Sequence, residues 1–145
     1  QFKQEVAQKT EQVKKGSKLS AYNFNSGALK SALKAKPTSR ARQAAQLQAT
    51  FTISENPIAS SGKKVVYMQI EGPSGKTFQR MTSYLLQTED GSIAYTEKKE
   101  IDYQNKAIDM SIYYDIRDEN LAKGNYKVNI YCNENLIGSD SFTLK

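Results

Sequence analysis

Ala107–Asp115 reads AIDMSIYYD and Asn125–Cys132 reads NYKVNIYC. In the first, Ile108, Met110, Ile112 and Tyr114 alternate with Asp109, Ser111 and Tyr113. In the second, Tyr126, Val128, Ile130 and Cys132 alternate with Lys127, Asn129 and Tyr131. A strand sends successive side chains to opposite faces, so a period of two predicts two strands, each with one buried face.

Similar signals extend in both directions. Asn133-Glu134-Asn135 predicts a hairpin loop. A last strand follows, with Leu136, Phe142 and Leu144 expected inward and Gly138 marking a bulge. Upstream, Val65–Glu71 places Val66, Met68 and Ile70 on one side. Gly72-Pro73-Ser74-Gly75 is a turn with proline suited to its second position. Lys76–Arg80 and Tyr84–Gln87 are shorter candidates, and Ser92–Tyr103 reads as one charged edge strand. In 43–53, QAAQLQATFTI, alternation sets Ala45, Leu47, Ala49, Phe51 and Ile53 against Gln46, Gln48, Thr50 and Thr52. That pattern favours a strand over the competing helix from Ser39 to Ala49. Lys18–Phe24 is a candidate first strand, and Asn25–Arg42 reads as a long polar connection broken at Pro37. Many short strands with polar turns between them predict a mainly β fold, an antiparallel Ig-like β-sandwich over 18–145.

Residues 1–17 differ in character. QFKQEVAQKTEQVKK favours helix, and Gly16 is placed to end it. Phe2, Val6 and Val13 fit a heptad seam with Lys9 at the position between. The segment reads as a helical lead-in, the stub of a coiled coil; the alternative is a solitary exposed helix. The chain opens at Gln1 inside this stretch, so we expect an upstream portion holding a membrane anchor.

The charge of +6 is uneven. Residues 1–47 carry ten Lys/Arg and two Glu; the remainder carries eleven Lys/Arg and thirteen Asp/Glu. Lys30, Lys34, Lys36, Arg40 and Arg42 form an acid-free run that could meet an anionic surface. No aromatic residue is interleaved for base stacking, so nucleic acid is a disfavoured partner.

Histidine is absent, which removes the commonest general base and the commonest metal ligand. Cys132 is the single cysteine and is expected to face inward as a packed thiol. Asp115, Asp118 and Glu119 share one loop, but their spacing matches no calcium motif. We expect no catalytic residue, no metal and no cofactor. Tyr113 and Tyr131 are expected outward on strands that could be neighbours. They would offer a contact surface for a protein or small ligand, or a cross-strand pair that steadies the sheet.

Three blocks, in this order, carry a resemblance: Thr50–Gly75 (TFTISENPIASSGKKVVYMQIEGPSG), Lys98–Ile116 (KKEIDYQNKAIDMSIYYDI) and Gly124–Lys145 (GNYKVNIYCNENLIGSDSFTLK). Together they resemble the C-terminal part of uncharacterised Bacteroidota envelope proteins, over roughly Leu19 to Lys145. The resemblance implies a transmembrane helix and a coiled coil before an Ig-like domain, in a periplasmic, membrane-anchored setting. It implies no catalytic residues. The cysteine pair and core tryptophan of antibody domains are missing. The expected role is a non-catalytic structural or protein-interaction module. Its partner would be a protein, or further copies of the chain through the upstream helix, with the membrane met only through a segment outside this chain. The alternatives are a glycan or small-ligand module, or a binder of anionic surfaces through the basic run.

Overall fold

Alternation decides which faces are buried, and the buried faces decide how the strands stack. The structure is a computed structural model describing residues 19–30, 36–79, 81–88, 91–116, 121–132 and 134–145. Ten strands follow in order: β1 (Ala21–Leu29), β2 (Pro37–Thr38), β3 (Gln46–Ile53), β4 (Gly62–Glu71), β5 (Leu85–Thr88), β6 (Gly91–Ala94), β7 (Glu97–Tyr103), β8 (Ile108–Asp115), β9 (Gly124–Cys132) and β10 (Asn135–Leu144). One four-stranded sheet has the order β2-β1-β3-β8 and a second has β10-β9-β4-β7. β5 and β6 make a separate hairpin, and all the pairings are antiparallel. The protein is mainly β. Among the described residues there is no α-helix, and none is long and apolar enough to cross a membrane. The helix expected over 1–15, with Phe2, Val6 and Val13, lies outside the described residues.

The two large sheets share one core. Leu47, Ala49, Phe51 and Ile53 of β3 are fully buried, as are Val66, Met68 and Ile70 of β4. Ile112 and Tyr114 of β8 join Tyr126, Val128 and Ile130 of β9 in the same cluster. The alternation read from the sequence therefore describes these four strands well.

Elsewhere the structure corrects the expectations. The stretch 25–42 is not a plain connection. β1 continues to Leu29, β2 pairs back on it, and one 3₁₀ turn spans Ala41–Gln43. That turn is all that forms of the helix competing for 39–49. Of the candidate Lys76–Arg80, the described residues 76–79 make no strand; an isolated bridge joins Thr77 to Glu71, and Arg80 lies outside the described residues. Ser92–Tyr103 is two strands in two different sheets, β6 and β7. Leu136 is outward and more than half exposed, and Ile137 is buried in its place. The pairing passes from Leu136↔Tyr131 to Gly138↔Ile130, so Ile137 is an extra residue that shifts the alternation by one. The Gly138 bulge is where it was expected.

A matching bulge lies in β1, where the pairing passes from Tyr22↔Thr52 to Asn25↔Thr50. Asn23 takes a positive φ of 56° there, a conformation that asparagine tolerates. Phe24 is thereby aimed across the seam between the sheets. It stacks on Phe51 at 5.5 Å between ring centroids, and a Cβ added to Gly138 would lie 2.5 Å from its Cζ. Ser26 Oγ donates to Asp140 Oδ2 at 2.6 Å further along. At the end of the seam Lys145 N donates to Ser39 O and Ala41 N donates to Lys145 O.

Thr96 explains the break between β6 and β7. It is fully buried, and its hydroxyl donates to Phe78 O at 2.7 Å while accepting from Ile70 N at 2.8 Å. A Thr96→Val substitution keeps the shape but strands a part-buried carbonyl and a buried N–H. Denaturant titration should show a loss of at least about 2 kcal/mol. Thr96→Ser, which restores the hydroxyl, should recover most of it.

Candidate interaction surfaces

Cys132 closes the inward series of β9 and is buried among core residues. Burial pushes its thiol above the ordinary value, against a smaller opposing effect of Lys64. A thiol held protonated is a poor nucleophile, so this side chain is packing. The carboxylates are dispersed. Asp109 accepts from Thr52 at 2.6 Å, Asp115 accepts from Gln46 at 2.7 Å, and Glu100 lies 3.9 Å from Lys63 with both side chains largely exposed. Asp118 and Glu119 lie outside the described residues.

The outward tyrosines are not neighbours. Tyr113 is on β8 of one sheet and Tyr131 on β9 of the other. Tyr131 instead faces Tyr67 on β4 and Leu136 on β10. Tyr67 meets the edge of Tyr95 at 4.9 Å between centroids, and Tyr84 stacks on Tyr95 at 5.1 Å. Gln69 Nε2 donates to Ala94 O and Asn129 Nδ2 donates to Gln69 Oε1. The β5–β6 hairpin is thus clamped onto the outer face of β4 and β9. Its tyrosines serve that clamp, worth about 0.5–1.5 kcal/mol per ring pair beyond area burial. Tyr67 was legible as outward, since it sits between the inward Val66 and Met68. Nothing signalled Tyr84 and Tyr95, because their contacts cross from one layer to another.

Tyr113 is 44% exposed on the outer face of β8. Among the described residues β8 pairs with β3 alone. Ile116 N donates to Ala45 O, which fixes the alternation of the ladder between β3 and β8. In an antiparallel pair every second residue turns its N–H and C=O away from the partner. Here those residues are Asp109, Ser111, Tyr113 and Asp115. Lys99 Nζ reaches one of the freed carbonyls, Ser111 O, at 3.2 Å.

The basic run is dispersed by the fold. Lys30 follows β1 directly, and its N–H donates to Lys36 O. Lys34 lies outside the described residues. Arg40 and Arg42 bracket Ala41 in the 3₁₀ turn. Lys123 and Lys145 join these two arginines around a hollow of about 300 Å³. Sequence reading missed both lysines, because 81 and 103 positions separate them from Arg42 and only the strand pairing brings them close.

With this geometry in view, the family follows. Residues 20–145 match the model of a domain of unknown function designated DUF8428. The chain belongs to the DUF8428 family. No curated protein matches the sequence. Among solved structures the DUF8428 chain is similar to Pseudomonas fluorescens alkylpurine DNA glycosylase AlkC bound to DNA containing an abasic site analog. The TM-score is 0.48 at 15% identity, over 89% of this chain and 31% of that one. The chain spans about a third of the glycosylase's length.

Burial raises Tyr95, Tyr103 and Tyr126 above the ordinary tyrosine value of 10.0. Lys98 opposes this for Tyr95, and backbone hydrogen bonds oppose it for Tyr103 and Tyr126. The unfolded chain ionises near that value while the folded chain keeps these protons. The stability they supply is therefore complete below pH 10 and is lost as pH rises through the folded values. Phenolate absorbance should show a late-titrating subset of tyrosines, and denaturant midpoints should fall over the same alkaline range.

Proposed function

We propose that this DUF8428 domain is a non-catalytic, Ig-like head acting as a structural or protein-interaction module of a cell-envelope protein. The Ig-like reading is supported by the strand order. β1-β3-β8 opposite β10-β9-β4-β7 corresponds to strands A, B, E and G, F, C, C′ of that architecture. It is supported again by Tyr126, near the start of β9, whose hydroxyl donates to Ala122 O four residues upstream. A tyrosine bonding back to the backbone at that corner recurs in Ig-like sandwiches. The envelope setting, with a membrane anchor and a helical stalk ahead of the head, rests on the resemblance over Leu19–Lys145.

The outer edge of β8 carries the interaction reading. Its eight residues present every second backbone N–H and C=O away from β3, beside the half-exposed Tyr113. An extended segment of a protein partner could add itself there as a further strand, with main-chain hydrogen bonds giving affinity. β7, at the edge of the other sheet, is studded with Lys98, Lys99, Glu100 and Asp102, which discourage such pairing.

A photo-crosslinking residue placed at Tyr113 in the native cell should capture a discrete protein. Ser111→Pro should abolish capture, since it deletes an outward N–H and leaves the bonds to β3 in place. Equal, diffuse labelling from position 113 and from Leu136, on the other sheet's outer face, would sink the proposal.

A further inference from the structure

Four cationic side chains from three separate stretches of chain meet around the hollow of about 300 Å³. Arg40 and Arg42 come from the 3₁₀ turn, Lys123 from just before β9, and Lys145 from just after β10. Strand pairing brings the stretches together. Leu144 is opposite Gly124, which sets Lys145 beside Lys123. The two backbone bonds joining Lys145 to Ser39 and Ala41 then fasten the turn to the end of β10. The backbone under the four charges is therefore fixed by hydrogen bonds, although the side chains themselves are exposed.

Bringing like charges together raises the electrostatic energy unless an anion joins them. Among the described residues, none of the four makes an ion pair; no Asp or Glu lines the hollow, and the carboxyl oxygen of Lys145 itself is taken by the Ala41 N–H. Arg40 sits at the N-terminal boundary of the turn, yet its side chain makes no capping bond there. Its guanidinium is not committed to holding the turn.

We propose that this hollow binds a phosphoryl group carried on a compact anionic ligand. Guanidinium groups match two phosphate oxygens at once, and the lysines add point charges. The volume is at the lower bound of small-ligand pockets, enough for a headgroup-sized anion. Nucleic acid is disfavoured because the lining has no aromatic ring on which a base could stack. The phosphate could belong to an anionic lipid headgroup or to a soluble phosphate ester, and the chemistry recognised is the same. The proposal does not depend on the β8 edge, which involves none of these residues.

The whole chain would be titrated with inorganic pyrophosphate by calorimetry, and separately with phosphatidylcholine vesicles with and without phosphatidic acid by co-sedimentation. We expect saturable binding that weakens as salt rises. Arg40→Ala and Arg42→Ala should each weaken it roughly tenfold, the scale of one lost charge-assisted hydrogen bond. Lys123→Ala should weaken it as well, with unchanged thermal midpoints showing that the variants fold. Lys98→Glu, on the exposed β7 edge, should leave a site-specific interaction intact. Binding to phosphatidic acid vesicles alone assigns the phosphate to lipid; binding to pyrophosphate as well assigns a soluble-ester source. Absence of binding in both arms at low salt would overturn the proposal. So would equal losses from Lys98→Glu and Arg40→Ala. Preferential, length-dependent binding of a single-stranded oligonucleotide would replace it with a nucleic-acid interface.

Discussion

The ring of Phe24 fills the space that a side chain at position 138 would need. Two sheets share a core by packing face to face, and along one side of this core β1 of one sheet lies against β10 of the other. The approach requires a residue without a Cβ on one side and a large ring on the other. Each strand carries a bulge at that level: one aims Phe24 inward, and the other brings Gly138 beneath it. Phe24 then stacks on Phe51 in the middle of the core. The seam continues from that approach to the basic end, where Lys145 is bonded to Ser39 and Ala41.

The parts of the fold legible in the sequence are those governed by strict alternation. β3, β4, β8 and β9 were readable because each buries one full face, which leaves a period of two. Leu136 was misread because a single extra residue reverses the pattern, and an extra residue leaves no compositional mark. Thr96 was invisible for another reason. A threonine in a charged stretch looks like surface, and only the pairing shows that Phe78 O and Ile70 N need its hydroxyl. The 25–42 stretch was underestimated because its glycine, serine and proline content reads as loop, whereas β1 draws its stability from β3.

The candidate surfaces follow the same division. Outward positions such as Tyr113 were predictable from the strand period. Which outward positions meet one another was not, since that depends on sheet membership. Tyr131 finds Tyr67 instead of Tyr113, and Tyr67, Tyr84 and Tyr95 fasten the β5–β6 hairpin. The basic run was visible as charge, but its concave part takes only two of the five residues and adds two from far along the chain. The two surfaces occupy separate parts of the molecule, one along the outer edge of β8 and one at the end of the stack.

The seam has a mechanical consequence. β1 and β10 run in the same direction along it: Gly138 meets Phe24, Asp140 meets Ser26, and Leu144 borders the same groove as Leu29. The start of β1 and the end of β10 therefore lie at opposite ends of the seam. Tension between those points pulls along both strands and loads their contacts in shear, many at once. A head tethered at one end and held at the other would resist such tension across the whole seam, where opposite strand directions would let it open one contact at a time.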